Sequence, residues 1–305
     1  GRLVTMCLVG RPARRVGVAR VVYRDMWPIP GHPETYTLAG WRGGWMEWRT
    51  THWAEVAEED LYSFVTKHLE HAYYWTRKGT VPWNPTKQSV SNLLSSMGAL
   101  SRIPSETDAP SWLRPRPGVG VLVSCRNGLL DVDTRQLAAH DPAFFNTVSV
   151  PFDYDPDAAT PVRWHAFLES VWPDDADAHA LLQQWFGYVL SGRTDLQKMF
   201  ALTGPRRSGK GTIARVLTAV VGAGNVAGPS LHSLGTNFGL GPLLGKSLAI
   251  VGDARLGTGD GAKAALANIL GISGEDTMQV DRKYRDPWNG RLPVRIMLMS
   301  NELPS

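Results

Sequence analysis

The sequence predicts an α/β fold built on a parallel sheet, and three observations carry that expectation. First, Met199 to Leu202 is a short apolar strand running into a glycine-bearing loop and then a helix, where Ile213, Val216, Leu217 and Val220 recur at helical spacing. Second, two more apolar strands follow, Ser247 to Val251 and Val294 to Met299. Third, each of the three strands leads to a polar residue of a type that handles nucleotides: Lys210 of the loop, Asp253 and Asn301. In an open parallel sheet the strand C-termini line one edge, and that edge is where such folds bind ligands.

The loop fits the pattern Gly-x-x-x-x-Gly-Lys through Gly204, Gly209 and Lys210. The glycines permit torsions that a side chain forbids. Backbone N–H groups, the positive end of the following helix and the Lys210 ammonium then converge on a polyphosphate. The expected cradle for ATP is Gly204, Pro205, Arg206, Arg207, Ser208, Gly209, Lys210, Gly211 and Thr212. The bland reading is an ordinary strand-to-helix turn; the flanking strand and amphipathic helix favour the cradle.

Gly211 stands where the usual pattern has a Ser or Thr for Mg²⁺, and Thr212 comes one place late. Magnesium is therefore expected to be held through water or by Thr212, with Asp253 holding its water shell or polarising the attacking water. Asn301 is expected to orient that water or sense the γ-phosphate. Singly, Asp253 reads equally well as a strand-end cap and Asn301 as a turn residue; together, in this order, the three favour an ATPase.

Composition narrows the class. A chain of 305 residues has room for two domains and substantial cores. The net charge of +4 is unevenly spread: the first fifty residues hold eight Arg and three acids, residues 128–180 ten acids and two Arg, and residues 201–305 twelve Lys or Arg and seven acids. Nucleic-acid binding would therefore use local basic faces rather than a polycationic tail. Cys7 and Cys125 have no zinc spacing and form no disulfide framework, which suits a reducing compartment. No apolar run is long enough for a membrane span, so no membrane partner is expected. Gly1 at one end and Asn-Glu-Leu-Pro-Ser at the other read as cuts from a longer chain.

Taken in order, residues 1–35, basic and broken by Pro12, Pro28, Pro30 and Pro33, predict irregular strands or loops. Trp41, Trp45, Trp48 and Trp53 around Gly43-Gly44 predict a β-hairpin, with aromatic packing favoured over base stacking. A helix near Glu58 to Trp75 carries Leu61, Phe64, Val65, His68 and Leu69 on one side; His68 and His71 lack a third ligand for a metal. After a break from Gly79 to Pro85, Thr86 to Leu100 is amphipathic, and residues 101–118, with four prolines, predict a linker.

Val119 to Val123, Asn127-Gly128 and Leu129 to Asp133 predict a hairpin; Asp131 and Asp133 have no companions for a metal pair. An acidic turn over 153–161 precedes helices near 162–172 and 176–191, the second closed by Gly192. Beyond the loop helix come a glycine-rich stretch over 222–245, a loop at Gly257, Gly259 and Gly261, a helix over 262–271, and a basic strand-like segment from Thr277 to Tyr284.

Several stretches share order and wording with one family. They are Asn-Gly-Leu-Leu-Asp-Val-Asp-Thr (127–134), Leu-Gln-Gln-Trp-Phe-Gly-Tyr-Val-Leu (182–190), Gly-Pro-Arg-Arg-Ser-Gly-Lys-Gly-Thr (204–212) and Phe-Gly-Leu-Gly-Pro-Leu-Leu-Gly-Lys (238–246). Ile-Val-Gly-Asp-Ala-Arg-Leu (250–256), the segment 272–284 and Leu-Met-Ser-Asn-Glu-Leu-Pro (298–304) continue the series. The chain resembles the superfamily 3 DNA helicases of the AAA+ class, of the phage, plasmid and poxvirus primase–helicase type, over 120–305 and more loosely over 36–115.

The resemblance implies an AAA+ P-loop NTPase core over 196–305, incomplete at its C-terminus. A mainly helical helicase-associated domain over 116–195 would precede it, and an α+β region over 1–115 would precede that. It implies ATP and Mg²⁺ as cofactors, and a homo-oligomeric, usually hexameric ring moving on single-stranded DNA at a replication fork in the cytoplasm of a bacterial host. The pore hairpin falls on 277–295, where Arg282, Lys283, Tyr284 and Arg285 would grip DNA; without the resemblance this is a solvated basic turn. The family often has paired acids where Gly252 precedes Asp253, its arginine finger lies past Ser305, and a primase domain would lie before Gly1. Two alternatives remain: a replication scaffold that binds ATP and DNA without turnover, and a nucleoside monophosphate kinase, which the Gly-Lys-Gly-Thr wording (209–212) also fits.

Overall fold

Apolar residues gather into separate cores on the two sides of a division between Thr107 and Asp108. The computed structural model describes residues 7–8, 15–29, 32–76, 78–116, 120–252, 259–283 and 285–301.

In the unit Gly1–Thr107 three helices supply most of the core: α1 (Arg15–Met26), α2 (Glu58–Leu69) and α3 (Lys87–Leu100). Ala19, Val22 and Tyr23 of α1, Leu61, Val65 and Leu69 of α2, and Val90, Leu93, Leu94 and Met97 of α3 are buried together. Their i, i+3 and i, i+4 spacing gives each helix one apolar stripe. Tyr23 stacks on Tyr36 with ring centroids 4.2 Å apart and donates its hydroxyl to Met97 O at 3.0 Å.

The existence of α1 corrects the expectation of irregular structure over 1–35: Pro12, Pro28, Pro30 and Pro33 all fall outside its span and bound it rather than break it. Helix α2 also ends earlier than the periodicity predicts. Three acids in its first turn and Lys67 and His68 in its last complement its dipole. The β-prone run Tyr73–Thr76 then forms a strand against Gly79–Pro82.

The tryptophan-rich segment is a three-stranded antiparallel sheet, Leu38–Trp41, Gly44–Trp48 and Trp53–Val56. Its first turn places Arg42 at φ 44° and Gly43 at φ 73°, the left-handed pair that a tight hairpin needs. Trp45 and Trp53 are buried, so aromatic packing holds for these two.

In the unit Asp108–Ser305 a four-stranded parallel sheet runs in the order Phe200–Thr203, Arg295–Ser300, Leu248–Val251, Val226–Ala227. The helices of this unit are α4 (Val162–Val171), α5 (Ala176–Leu190), α6 (Lys210–Val221), α7 (Leu231–Leu234) and α8 (Asp260–Ser273). Leu168, Leu182, Trp185 and Val189 of α4 and α5 share one core with Leu202, Ile213, Leu217, Leu248 and Met297.

The sequence pattern places boundaries after 115 and 195, whereas contacts divide the chain once, after Thr107. The shared core explains why no division falls at 195. Residues 116–195 also hold more strand than the mainly helical expectation: Leu122–Cys125, Gly128–Asp131 and Leu137–Ala138 form an antiparallel sheet, and Phe144–Phe145 pairs with Ser111–Trp112 inside the expected linker.

One charge is built into this core. Arg295, at the start of a central strand, is 3% exposed. It donates from Nη2 to Val189 O at 2.7 Å and from Nη1 to Pro293 O at 2.7 Å and Gly192 O at 3.3 Å. The guanidinium thus sits on carbonyls at the C-terminal end of α5, where the helix dipole favours a cation. Burial still pushes its pKa down to about 10.

Candidate functional site

The strand Phe200–Thr203 hands the chain to a loop that turns into α6 at Lys210. Arg207 and Gly209 both take left-handed backbone, at φ 65° and 90°, which curls the loop around its own N–H groups. Glycine is required at 209 twice over: a Cβ there would lie 2.9 Å from Val171 Cγ2 and 3.1 Å from Phe167 Cζ, and the torsion disfavours any side chain. Among the described residues no acceptor bonds the N–H groups of Arg206, Arg207, Gly209, Lys210 and Gly211. A row of such unbonded donors at the start of a helix favours an anion.

Lys210 folds back over this loop. Its Nζ donates to Gly204 O at 2.6 Å and Pro205 O at 2.9 Å, and lies 3.4 Å from Ser208 Oγ. Gly204 N–H donates to Ser300 O at 3.2 Å, pinning the loop's root to the neighbouring strand, whose Ser300 pairs with Thr203. Asn301 follows directly and is half-buried. The loop and Asn301 therefore share one edge of the sheet. On the next strand Val251 pairs with Leu298, and Gly252 ends the described segment; Asp253 lies outside the described residues, as do Gly257 of the glycine loop and Tyr284.

Beyond the loop opens a cleft of about 590 Å³, within the range of small-molecule sites. Phe167, Ser170 and Val171 of α4 form one side, and Arg207, Thr212 and Arg215 line the other. Arg215 Nη2 donates to Thr212 Oγ1 at 3.0 Å. None of Arg206, Arg207, Lys210 and Arg215 has a carboxylate partner among the described residues. A second cavity, about 370 Å³, lies among Trp112, Arg193, Asp195, Glu275 and Arg291. Its charges are already matched, Arg193 to Asp195 at 2.6 Å and Arg291 to Asp108 at 3.0 Å, so it lacks the uncompensated charge of the loop cleft.

The basic segment is an antiparallel hairpin, Met278–Arg282 with Arg285–Gly290. Lys283 is exposed at its tip, with Nζ 5.9 Å from the Phe238 ring centre. Arg282 braces the turn, donating from Nε and Nη2 to Asp286 O at 3.1 and 3.0 Å. Arg285 opens the second strand opposite Arg282.

Asp131 accepts the N–H groups of Asp133 and Thr134 at 3.0 and 2.9 Å, a turn in which the Thr134 N–H foremost holds its carboxyl below the ordinary value. His71 pairs with Glu70. No cluster of three metal-ligating groups occurs among the described residues. No described helix is long and apolar enough to cross a membrane.

Sequence reasoning passed over Arg215, Phe167 and Val171. The signal was present: Arg215 stands four residues after Gly211 and three after Thr212, on one helix face, and Phe167 and Val171 are likewise four apart.

Two family models match the chain: one described as "D5 N terminal like" over residues 36–173, and one described as "Family of unknown function (DUF5906)" over 202–305. Among solved structures, the apo C-terminal region of NrS-1 superposes with a TM-score of 0.53 at 12% identity, covering 87% of this chain and 54% of that one. Its A form gives 0.51, at 12% identity over 87% and 53%. The chain thus spans about half the length of the NrS-1 chains it matches, and shares their fold. A ligand-bound JCV Helicase matches 46% of this chain and 39% of its own at 21% identity, but at a TM-score of 0.33 that likeness carries no argument.

Proposed function

We propose that this chain is the ATP-hydrolysing core of a phage, prophage or plasmid replication helicase, a P-loop NTPase of the AAA+ superfamily 3 type that moves on single-stranded DNA. The observation that carries the reading is the loop edge. Left-handed Arg207 and Gly209, unbonded N–H groups and carboxylate-free cations stand beside Asn301 at the C-terminal ends of parallel strands. That is a site short of negative charge, and a nucleoside triphosphate with Mg²⁺ supplies it together with an electrophilic γ-phosphorus.

The chain's own residues divide the work. Within the loop Gly204 to Thr212 the N–H groups of Arg206, Arg207, Gly209, Lys210 and Gly211 hold the phosphates, and Lys210 exchanges its carbonyl bonds to Gly204 and Pro205 for phosphate oxygens. Thr212 Oγ1, which accepts one bond from Arg215, keeps a lone pair for Mg²⁺, and Asp253 is assigned the metal's water shell. Asn301 orients the attacking water. Arg282, Lys283, Tyr284 and Arg285 form the DNA grip, with Lys283 as the exposed point charge and Arg282 also stiffening the turn. Assembly into a ring, usually six copies, places a neighbour's arginine at the phosphate, and the host cytoplasm is the assigned compartment.

The test is ATP turnover by the full-length protein with and without single-stranded DNA. Lys210→Ala is expected to lower DNA-stimulated turnover on the order of 100-fold or more; unchanged turnover overturns the assignment. Tight ATP binding with no turnover in an intact, DNA-bound ring would instead support the scaffold reading, which Gly252 in place of a second acid motivates.

A further inference from the structure

We infer that Arg215 is a nucleotide ligand, gripping the phosphate nearest the ribose from the side of the cleft that Gly211 leaves open. This rests on the proposed nucleotide reading of the loop.

The argument starts from helix geometry. Residues four and three apart on a helix stack on one face, so Arg215 overlies Gly211 and Thr212. Its Nη2 bonds Thr212 Oγ1 at 3.0 Å, and a Cβ placed on Gly211 would lie 3.6 Å from its Nη1. The guanidinium therefore rests over the bare backbone at Gly211.

Charge points the same way. Arg207, Thr212 and Arg215 line one cleft, Lys210 lies at the loop beside it, and no described carboxylate balances the three cations. Cations gathered about one cleft without a carboxylate among them favour a polyanion there. A guanidinium has five N–H donors in a planar fork, and Arg215 commits one group to Thr212, leaving the remainder for a bidentate grip on phosphate.

Position fixes which phosphate. Lys210 Nζ is folded toward the loop's beginning, over Gly204 and Pro205, whereas Arg215 stands a turn further along α6, facing Phe167 and Val171 across the cleft. A phosphate chain lying in the loop has its terminal end at Lys210 and its nucleoside end at Arg215. The apolar side of the cleft is then next to the nucleoside.

The experiment measures ATP and ADP dissociation constants, with Mg²⁺, for the wild-type chain, Arg215→Gln, Arg215→Lys and Lys210→Ala. Arg215→Gln is expected to weaken ATP and ADP alike, by tenfold or more, with an unchanged melting temperature without nucleotide. Arg215→Lys should recover part of both losses, since it keeps the charge but not the fork. Unchanged affinities for both nucleotides would overturn the inference, as would a loss confined to ATP, which would put Arg215 on the terminal phosphate. Should Arg215→Gln melt early, Arg215→Lys at matched stability decides by the same ATP-to-ADP comparison. If Lys210→Ala abolishes binding and the Arg215 variants do not, only this inference fails; if wild type binds neither nucleotide, the reading of the loop fails with it.

Discussion

Two cationic places in the sheet unit, at opposite ends of its strands, are treated in opposite ways. At the N-terminal end Arg295 is buried, and its guanidinium is spent on the carbonyls of Val189, Gly192 and Pro293. At the C-terminal end Arg207 and Arg215 line a cleft beside the loop that carries Arg206 and Lys210, with no described carboxylate to balance them. A structural cation finds its acceptors within the protein, as the Nη1 and Nη2 groups of Arg295 do. A binding cation is left wanting until its ligand arrives, which is why the second place, and not the first, reads as the working site.

The largest expected effect that would sharpen this contrast is at Arg295. Arg295→Ala leaves buried carbonyls unpaired and a hole behind them, and should lower the unfolding free energy by roughly 2–4 kcal/mol in denaturant melts. A loss below about 0.5 kcal/mol, the scale of ordinary surface changes, would mean the buried arginine does not hold α5 to the sheet. Next is Gly209→Ala at the other end. The left-handed torsion and the approach of Val171 and Phe167 predict a loss of about 1–3 kcal/mol together with weakened nucleotide binding. Full stability and full binding in that variant would break the account of the loop's shape.

How much of this was legible differs between the two ends. The loop was readable because its constraints are local: Gly209 must be glycine, Lys210 must follow, and a periodic helix must come after. The order of the sheet, which sets Arg295–Ser300 between Phe200–Thr203 and Leu248–Val251, follows from pairings that no single segment reveals. Arg295 sits inside the apolar run Val294 to Met299, where the pattern shows a strand but not where its one charge goes; two of its three partners, Val189 and Gly192, are about a hundred residues away in sequence. Arg215 was passed over because a lone cation on a helix usually belongs to a solvated face. Helix α1 was passed over because counting prolines over 1–35 hid the proline-free span from Arg15 to Met26. Amphipathic α4 and α5 show an apolar face without showing what covers it, and that cover, the parallel sheet, lies on the other side of the expected boundary after 195.

The smallest effect lies in the unit Gly1–Thr107 and bears on the contrast as a control. Burial, followed by the nearby charge of Arg49, lowers the His52 pKa below the ordinary imidazole value. Its neutral form is thus favoured when folded, and the unfolded chain takes up the proton first. Stability from His52 is present above about pH 6.5 and is lost as pH falls through that value toward the lower folded one. Melts of wild type and His52→Gln across pH 5 to 8 should show a shallower acid loss in the variant, with nucleotide affinity at pH 7 unaffected. Identical acid slopes would remove His52 from the account.

The central claim, that the loop edge waits for a polyphosphate, is tested most directly by melting wild type and Lys210→Ala with and without Mg²⁺ and ATP. A ligand at a hundred times its dissociation constant stabilises the folded form by about 2.7 kcal/mol. The account predicts that ATP raises the melting temperature of wild type and leaves that of Lys210→Ala nearly where it was. An equal rise in both proteins, or none in wild type, would contradict it.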